Sequence, residues 1–331
     1  MGPVAMEKRR VQLTGTSTLT ISLPKPWAVR NGVVPRDEIF ISEERDGSLS
    51  LRLRAHEERV RITEIRTDDF TDDAHLTRAF LAKYLAGYNV IHVLAKGKIP
   101  PGTRAAVVQQ VDRLIGMEVT EETPGAITTQ DFFSHEGLSI EKTLRRAHLI
   151  ARGMHIDAME AVLKGDRELA AAVMARDDEA DRLRFLIIRQ LSLALHNSAL
   201  LQSFGITAYD SVVFLRVARC LEDAADMATQ IAGYARVLRG KLPPDVARGL
   251  GELSAAALES HTIAFGSLFT KNTDAANAII GRRPEFEAKR AELEKMLHRK
   301  SVPFQTGLII EALTKIYGHS VHIAEATIDR E

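Results

Sequence analysis

From about residue 137 onward the sequence reads as helix, and the helices repeat. Helix-sized segments run roughly 138–164, 167–197, 206–239, 243–270, 272–300 and 303–329. Between them stand Gly165-Asp166, Phe204-Gly205-Ile206, Gly240-Lys241-Leu242-Pro243-Pro244, Asn272-Thr273-Asp274 and Ser301-Val302-Pro303. That is three long helices twice over. The third helix of each half can be laid on the other, so that Leu221, Ile231 and Ala232 coincide with Leu313, Ile323 and Ala324. Helix count and short loops then predict two three-helix bundles, about 137–240 and 241–331. With 45% hydrophobic but only 5% aromatic residues, their core must pack through Leu, Ala and Ile.

The whole chain has 331 residues, room for two or three domains. Its single cysteine, Cys220, excludes an intramolecular disulfide and any CxxC metal knuckle. No apolar run approaches the ~18 residues of a membrane span. Glu7-Lys8-Arg9-Arg10 leads into alternating residues and not into the apolar block of a signal peptide. The reading is a cytoplasmic protein.

Lys+Arg and Asp+Glu both number 44, so a uniformly basic protein is excluded. The balance is uneven, however. Up to residue 36 the charged residues are Glu7 and the cations Lys8, Arg9, Arg10, Lys25, Arg30 and Arg36; the acids Asp37, Glu38, Glu43, Glu44 and Asp46 follow. A basic end on a neutral protein points to nucleic acid, with a merely solvated charged face as the alternative.

Residues 1–56 read as short strands and turns. Val11 and Leu13, then Leu19, Ile21 and Leu23, alternate with polar residues across the turn Thr14-Gly15-Thr16-Ser17. A short helix follows, opened by proline and closed by Gly32. Ile39–Ile41 and Leu49–Leu53 form a hairpin around Arg45-Asp46-Gly47-Ser48. Some fifty residues make a poor core alone, and dimerisation is the usual remedy. Residues 57–136 read as strand, helix, strand, helix, strand, ending at Met117–Thr120: a small α/β connector without a phosphate loop or nucleophile motif. His92 lies between apolar neighbours and reads as packed or edge-facing, not as a ligand.

Two carboxylate pairs stand out in the first bundle. Asp177 and Asp181, and Glu222 and Asp226, each lie four residues apart and so on one helical face. Like charges there repel, and two pairs on facing helices need something positive between them. An all-oxygen set suits magnesium, manganese or iron. One such pair occurs often by chance on exposed helices; two in equivalent helices of one bundle are more specific.

Arg10–Gly15, Ser22-Leu23-Pro24-Lys25, Trp27, Gly32-Val33-Val34-Pro35 and Asp37-Glu38-Ile39 resemble the AbrB/SpoVT swapped-hairpin domain over most of residues 9–54. That family interleaves two chains into a small β-barrel and binds DNA through basic loops. The resemblance implies Lys8, Arg9, Arg10, Lys25 and Arg30 as DNA-facing residues, and a homodimer through this domain. The family often has glycine where Arg36 stands. The helical half resembles the PhoU family of phosphate regulators, two three-helix repeats with an (E/D)xxxD metal motif in each. Asp166, Ala170, Val173, Asp177 and Asp181, then Arg219, Leu221, Glu222, Asp226 and Ile231, stand where that pattern expects them.

Together the parts look like the archaeal type of phosphate uptake regulator. The implied fold is α+β multidomain: an AbrB-like β domain, an α/β connector and all-α PhoU-like tandem bundles. The implied metal, iron, zinc, manganese or magnesium, would sit on Asp177, Asp181, Glu222 and Asp226. The second repeat departs from the motif. Thr314 and Gly318 replace Glu222 and Asp226, while Asp177 and Asp181 fall on Arg283/Glu287, Pro284/Ala288 or Glu285/Lys289. His319 and His322 lie near the lost motif, as replacement ligands or as satisfied surface histidines. Three functions compete: a dimeric transcription regulator, an adaptor that docks on a phosphate transporter or signalling protein, and a metal-dependent hydrolase. The last lacks a companion nucleophile or base, so the chain reads as no enzyme.

Overall fold

The computed structural model describes residues 7–43, 47–53, 60–133, 138–300 and 302–330. Chain contacts divide it into two units, Met1–Arg59 and Val60–Glu331. The domain boundaries read after 56 and after 136, the turn residues Arg45 and Asp46, and Ser301 lie outside the described residues.

In the first unit, strands β1 (Gln12–Thr14) and β2 (Thr18–Thr20) pair antiparallel with Leu13 opposite Leu19. Helix α1 (Lys25–Arg30) starts behind Pro24 and stops at Asn31, whose side-chain amide donates to the Trp27 carbonyl. Strands β3 (Phe40–Glu43) and β4 (Leu49–Arg52) form a second, separate two-stranded sheet. Arg36 takes φ = +81°, the left-handed region glycine favours. None of the side chains described between residues 7 and 53 is buried.

The second unit opens with a four-stranded sheet. Strand β5 (Ile62–Arg66), helix α2 (Asp73–Leu85) and strand β6 (Val90–Leu94) make a parallel crossover unit. Helix α3 (Pro101–Asp112) and strand β7 (Met117–Thr123) follow. Beyond the strands expected from the sequence, a further strand, β8 (Ala126–Asp131), turns back at Pro124-Gly125 and inserts between β6 and β7. Its inward Ile127 and Thr129 are buried, and the Thr129 hydroxyl donates to the Ile91 carbonyl. Three threonine and glutamine side chains in a six-residue strand hid its apolar rhythm. His92 is a cross-strand partner, its Nδ1 3.1 Å from the Thr128 hydroxyl.

The helical region contains α4 (Ile140–Lys164), α5 (Arg167–Ala175), α6 (Asp177–Leu195), α7 (Ser198–Ser203), α8 (Ala208–Val237), α9 (Pro244–Thr270), α10 (Thr273–Gly281), α11 (Arg283–Arg299) and α12 (Gln305–Ile328). Segments 167–197 and 272–300 are therefore not single helices. Each breaks after nine residues, at Arg176 and at Arg282. At each break the arginine reaches back to the first helix of its own repeat: Arg176 to Asp157 at 2.8 Å, Arg282 to Glu259 at 3.0 Å. These are tertiary ion pairs, which helix periodicity cannot report.

The ends obey local rules. The Ser139 hydroxyl accepts from the Lys142 N–H, Asp166 caps α5, and Thr207 with Asp210 forms a capping box on α8. Helices α4 and α9 both end on a left-handed residue, Gly165 and Lys271. Counted back ten residues from those ends stand His155 and His261, both buried between the repeats. His155 Nε2 meets the Ser254 hydroxyl at 2.9 Å, and His261 stacks on His148 at 5.0 Å. One continuous apolar core runs through both repeats. It is tied to the sheet by Phe185, which packs into the sheet's core, and by Arg189, whose guanidinium sits 2.6 Å from Asp131 with both side chains sealed from solvent. Among the described residues no helix is long and apolar enough to cross a membrane.

Candidate metal centre

The break at Arg176 decides where the first carboxylates go. It starts α6 afresh, so Asp177, Asp178 and Glu179 occupy its first turn. There the exposed N–H groups and the positive end of the helix dipole favour negative charge. Asp181 follows one turn later. Glu222 and Asp226 come from the middle of α8, in a stretch with buried Ala224, Ala225 and Ala228. Small residues let α8 lie close to its neighbours, and α6 packs against it.

The pairs do meet electrostatically. Glu222 is only 8% exposed. Burial first, then Asp226 and Asp223, lift its carboxyl to about 7, against the pull of Arg184 and Arg219. Asp226 rises to about 6 through burial, then through Asp177, Asp181 and Asp223. Burial also raises Asp181, opposed by Arg113. Glu222, Asp223 and Asp226 each offer a carboxylate oxygen, all within 4.8 Å of one another. Asp177 and Asp181 stand outside that cluster, and the Thr229 hydroxyl donates to Asp177 Oδ1 at 2.9 Å.

Three arginines answer this charge, and of them only Arg219 belonged to the pattern read from the sequence. Arg113, from the end of α3, lies 2.9 Å from Asp181 and 3.2 Å from Asp178. Arg184 and Arg219 each approach Glu222 at 3.5 Å. Even so, Glu222 Oε2, with Arg219 Nη1 3.5 Å away, is a buried oxygen without a hydrogen-bond partner among the described residues. Crowded carboxylates, two of them pushed toward neutrality, and an oxygen that lacks a donor fit a hard or borderline cation. Glu222, Asp226 and Asp223 would hold it, with Asp177 and Asp181 across the groove.

The second repeat offers no such cluster among the described residues. The breaks at Arg176 and Arg282 align Asp177 with Arg283 and Asp181 with Glu287. Glu287 pairs with Arg290 at 3.2 Å, and the Thr314 hydroxyl donates to its own helix at the Ile310 carbonyl. His319 and His322 do not restore that site: His319 Nδ1 faces Asp223 of α8 at 4.0 Å.

In the first unit Lys8, Arg9, Arg10, Lys25 and Arg30 are all exposed, and Arg9 pairs with Glu7. Val11, Leu13, Leu19 and Ile21 are exposed as well, between 59% and 70%.

Residues 144–235 match the family model described as the PhoU domain. That stretch carries α5, α6 and α8 with all four acids of the two pairs. No curated protein matches the chain by sequence. Among solved structures it is similar to PhoU from Pseudomonas aeruginosa, with 18% identity and a TM-score of 0.49 over 57% of this chain and 93% of that one. It is also similar to the phosphate transport system regulatory protein PhoU from Streptococcus pneumoniae, with 16% identity and a TM-score of 0.48 over 57% and 91%.

Proposed function

We propose that this chain is a cytoplasmic, dimeric, DNA-binding regulator of phosphate uptake, and not an enzyme. Its first unit joins two copies and holds them on DNA, while the helical region senses phosphate status through a bound metal, an anion or a partner. One observation carries the reading: the stretch that matches the PhoU domain is the stretch whose helices crowd the carboxylates. Asp177, Asp181, Glu222 and Asp226, joined by Asp223, are the metal-binding residues; iron, zinc, manganese and magnesium are the ions to test.

The exposed strands support the dimer. A sheet with Leu13 and Leu19 side by side in water is incomplete, and a second copy of the same strands covers it. Lys8, Arg9, Arg10, Lys25 and Arg30 suit phosphate contact, being long exposed cations that a two-fold axis would double.

The test is duplex DNA binding across a salt series, for the full chain and for Lys25→Ala/Arg30→Ala. Phosphate contacts release counterions, so log affinity falls with log salt by about 0.9 per phosphate. The double variant should bind more weakly with a shallower slope. If intact dimers show no duplex binding at low salt, the regulator reading fails, and the chain is an adaptor docking on a phosphate transporter or signalling partner. Separately, Asp181→Ala/Asp226→Ala should lower the metal-to-protein ratio; an unchanged ratio refutes the ligand assignment.

A further inference from the structure

The single cysteine of the chain lies on α8, beside two histidines of α12. Cys220 is a free thiol on α8, 4% exposed. One turn on, Asp223 shares its side of the helix. Facing them on α12 are His319 and His322, also three residues apart, and three-residue spacing places both members of each pair on one helical face. Helices α8 and α12, the third helices of the two repeats, pack closely.

Cys220 Sγ and one ring nitrogen from each histidine all lie within 4.8 Å of one another. The histidine rings stand 6.0 Å apart at 75°, an edge-on arrangement that lets both aim nitrogens at one point. His319 Nδ1 is buried without a hydrogen-bond partner among the described residues, and Asp223 Oδ2 lies 4.0 Å from it.

We propose that Cys220, His319 and His322, with Asp223 beside them, form a binding site for a zinc-class divalent ion that clasps the two repeats together. The donor set decides the class. One thiolate and two imidazoles are soft and borderline ligands, which select zinc-like ions over magnesium or calcium, and zinc takes such donors in tetrahedral array. Tetrahedral zinc, with bonds of about 2.0–2.3 Å, needs donors roughly 3.3–3.8 Å apart. Side-chain rotation of about an ångström brings the observed group to that spacing. The fourth position falls to Asp223 or to water. This site differs in chemistry and place from the carboxylate centre: Glu222 and Asp226 answer to α6, whereas Cys220 answers to α12, and Asp223, paired with Arg219 of its own helix at 2.7 Å, stands between them. Asp223 touches both, since its carboxylate also belongs to the oxygen cluster.

Cobalt(II) reads the site directly, because a thiolate ligand gives a charge-transfer band that oxygen ligands do not. The full-length protein, reduced and stripped by chelator, is titrated with Co²⁺ and then with Zn²⁺. A thiolate-to-cobalt band that Zn²⁺ bleaches is expected, with Cys220→Ala abolishing it. His322 is exposed, so His322→Ala does not threaten folding; it should weaken Co²⁺ and Zn²⁺ binding about tenfold or more. Asp177→Asn/Asp181→Asn should leave the band intact, so failure of the carboxylate centre and failure of this site are read apart. Absence of the band from the folded chain at saturating Co²⁺ overturns the proposal. So does a band of undiminished affinity in His319→Ala/His322→Ala.

Discussion

Replacing Glu222 by Gln separates what its carboxylate does for the fold from what it does for a ligand. In the metal-free chain burial lifts this group from 4.5 to about 7. Between those values the folded chain holds a proton that the unfolded chain has released. Stability therefore falls as pH rises through that window. At 1.36 kcal/mol per pH unit the span is worth about 3 kcal/mol. Glu222 and Asp226 titrate as neighbours, so this is a ceiling for one substitution.

The buried histidines impose the opposite slope. Burial lowers His148 and His155 to about 4 and pushes His261 well down. The unfolded chain binds protons near pH 6.5 that the folded chain refuses, so stability falls as pH drops through that value. Those terms are common to both proteins and cancel in the difference. Urea unfolding in chelator should show Glu222→Gln about equal to the parent near pH 5 and about 1–3 kcal/mol more stable at pH 8. Added Mn²⁺ at a hundred times its dissociation constant should stabilise the parent by about 2.7 kcal/mol and the variant far less. A variant less stable than the parent at pH 8 without metal would refute the reasoning. It would mean that Arg184 and Arg219 hold Glu222 as a structural ion pair.

Three further outcomes are expected. Arg189→Met takes the guanidinium from a buried carboxylate and from the Tyr84 and Tyr88 carbonyls; it should cost about 3–5 kcal/mol in urea unfolding, only part of it recovered in Asp131→Leu/Arg189→Met, which leaves both carbonyls without that donor. Arg113→Ala removes the cation that competes for Asp181; calorimetric titration should show metal binding about two- to fivefold tighter, as expected for a half-exposed pair worth up to ~1 kcal/mol. Leu13→Lys/Leu19→Lys places like charges opposite each other on an exposed pair; light scattering should find dimers for the parent and monomers for this variant.

The elements of this fold were legible wherever local physics decides them. Gly165, Asp166, Gly205 and Pro243-Pro244 announce helix ends because caps and breakers act over a few residues. The kink at Arg176 was not, since the apolar rhythm of residues 167–197 runs straight through it and the partner of Arg176, Asp157, lies on another helix. Gly281 and Pro284 did flank the second break and were readable. Strand β8 was missed for its threonines, although Pro124-Gly125 marked the turn before it. The carboxylate pairs showed themselves through four-residue spacing. Arg113 did not, because it reaches Asp181 across 68 residues of chain and spacing says nothing about that.

The two repeats supply an internal comparison that bears on the carboxylates. Once the kinks fix the register, the second repeat places Arg283, Glu287, Thr314 and Gly318 where the first has Asp177, Asp181, Glu222 and Asp226. Apart from the short α7 of the first, both halves build the same arrangement of a long helix, a nine-residue helix, a kinked continuation and a closing long helix. The acids are thus not what makes this arrangement fold. In the first repeat they work against it: Glu222 and Asp226 are lifted toward neutrality by burial, and three arginines from α3, α6 and α8 are drawn in to offset them. A feature that destabilises the fold, is absent from the half that folds without it, and leaves a buried carboxylate oxygen lacking a donor makes physical sense as a site kept for a cation.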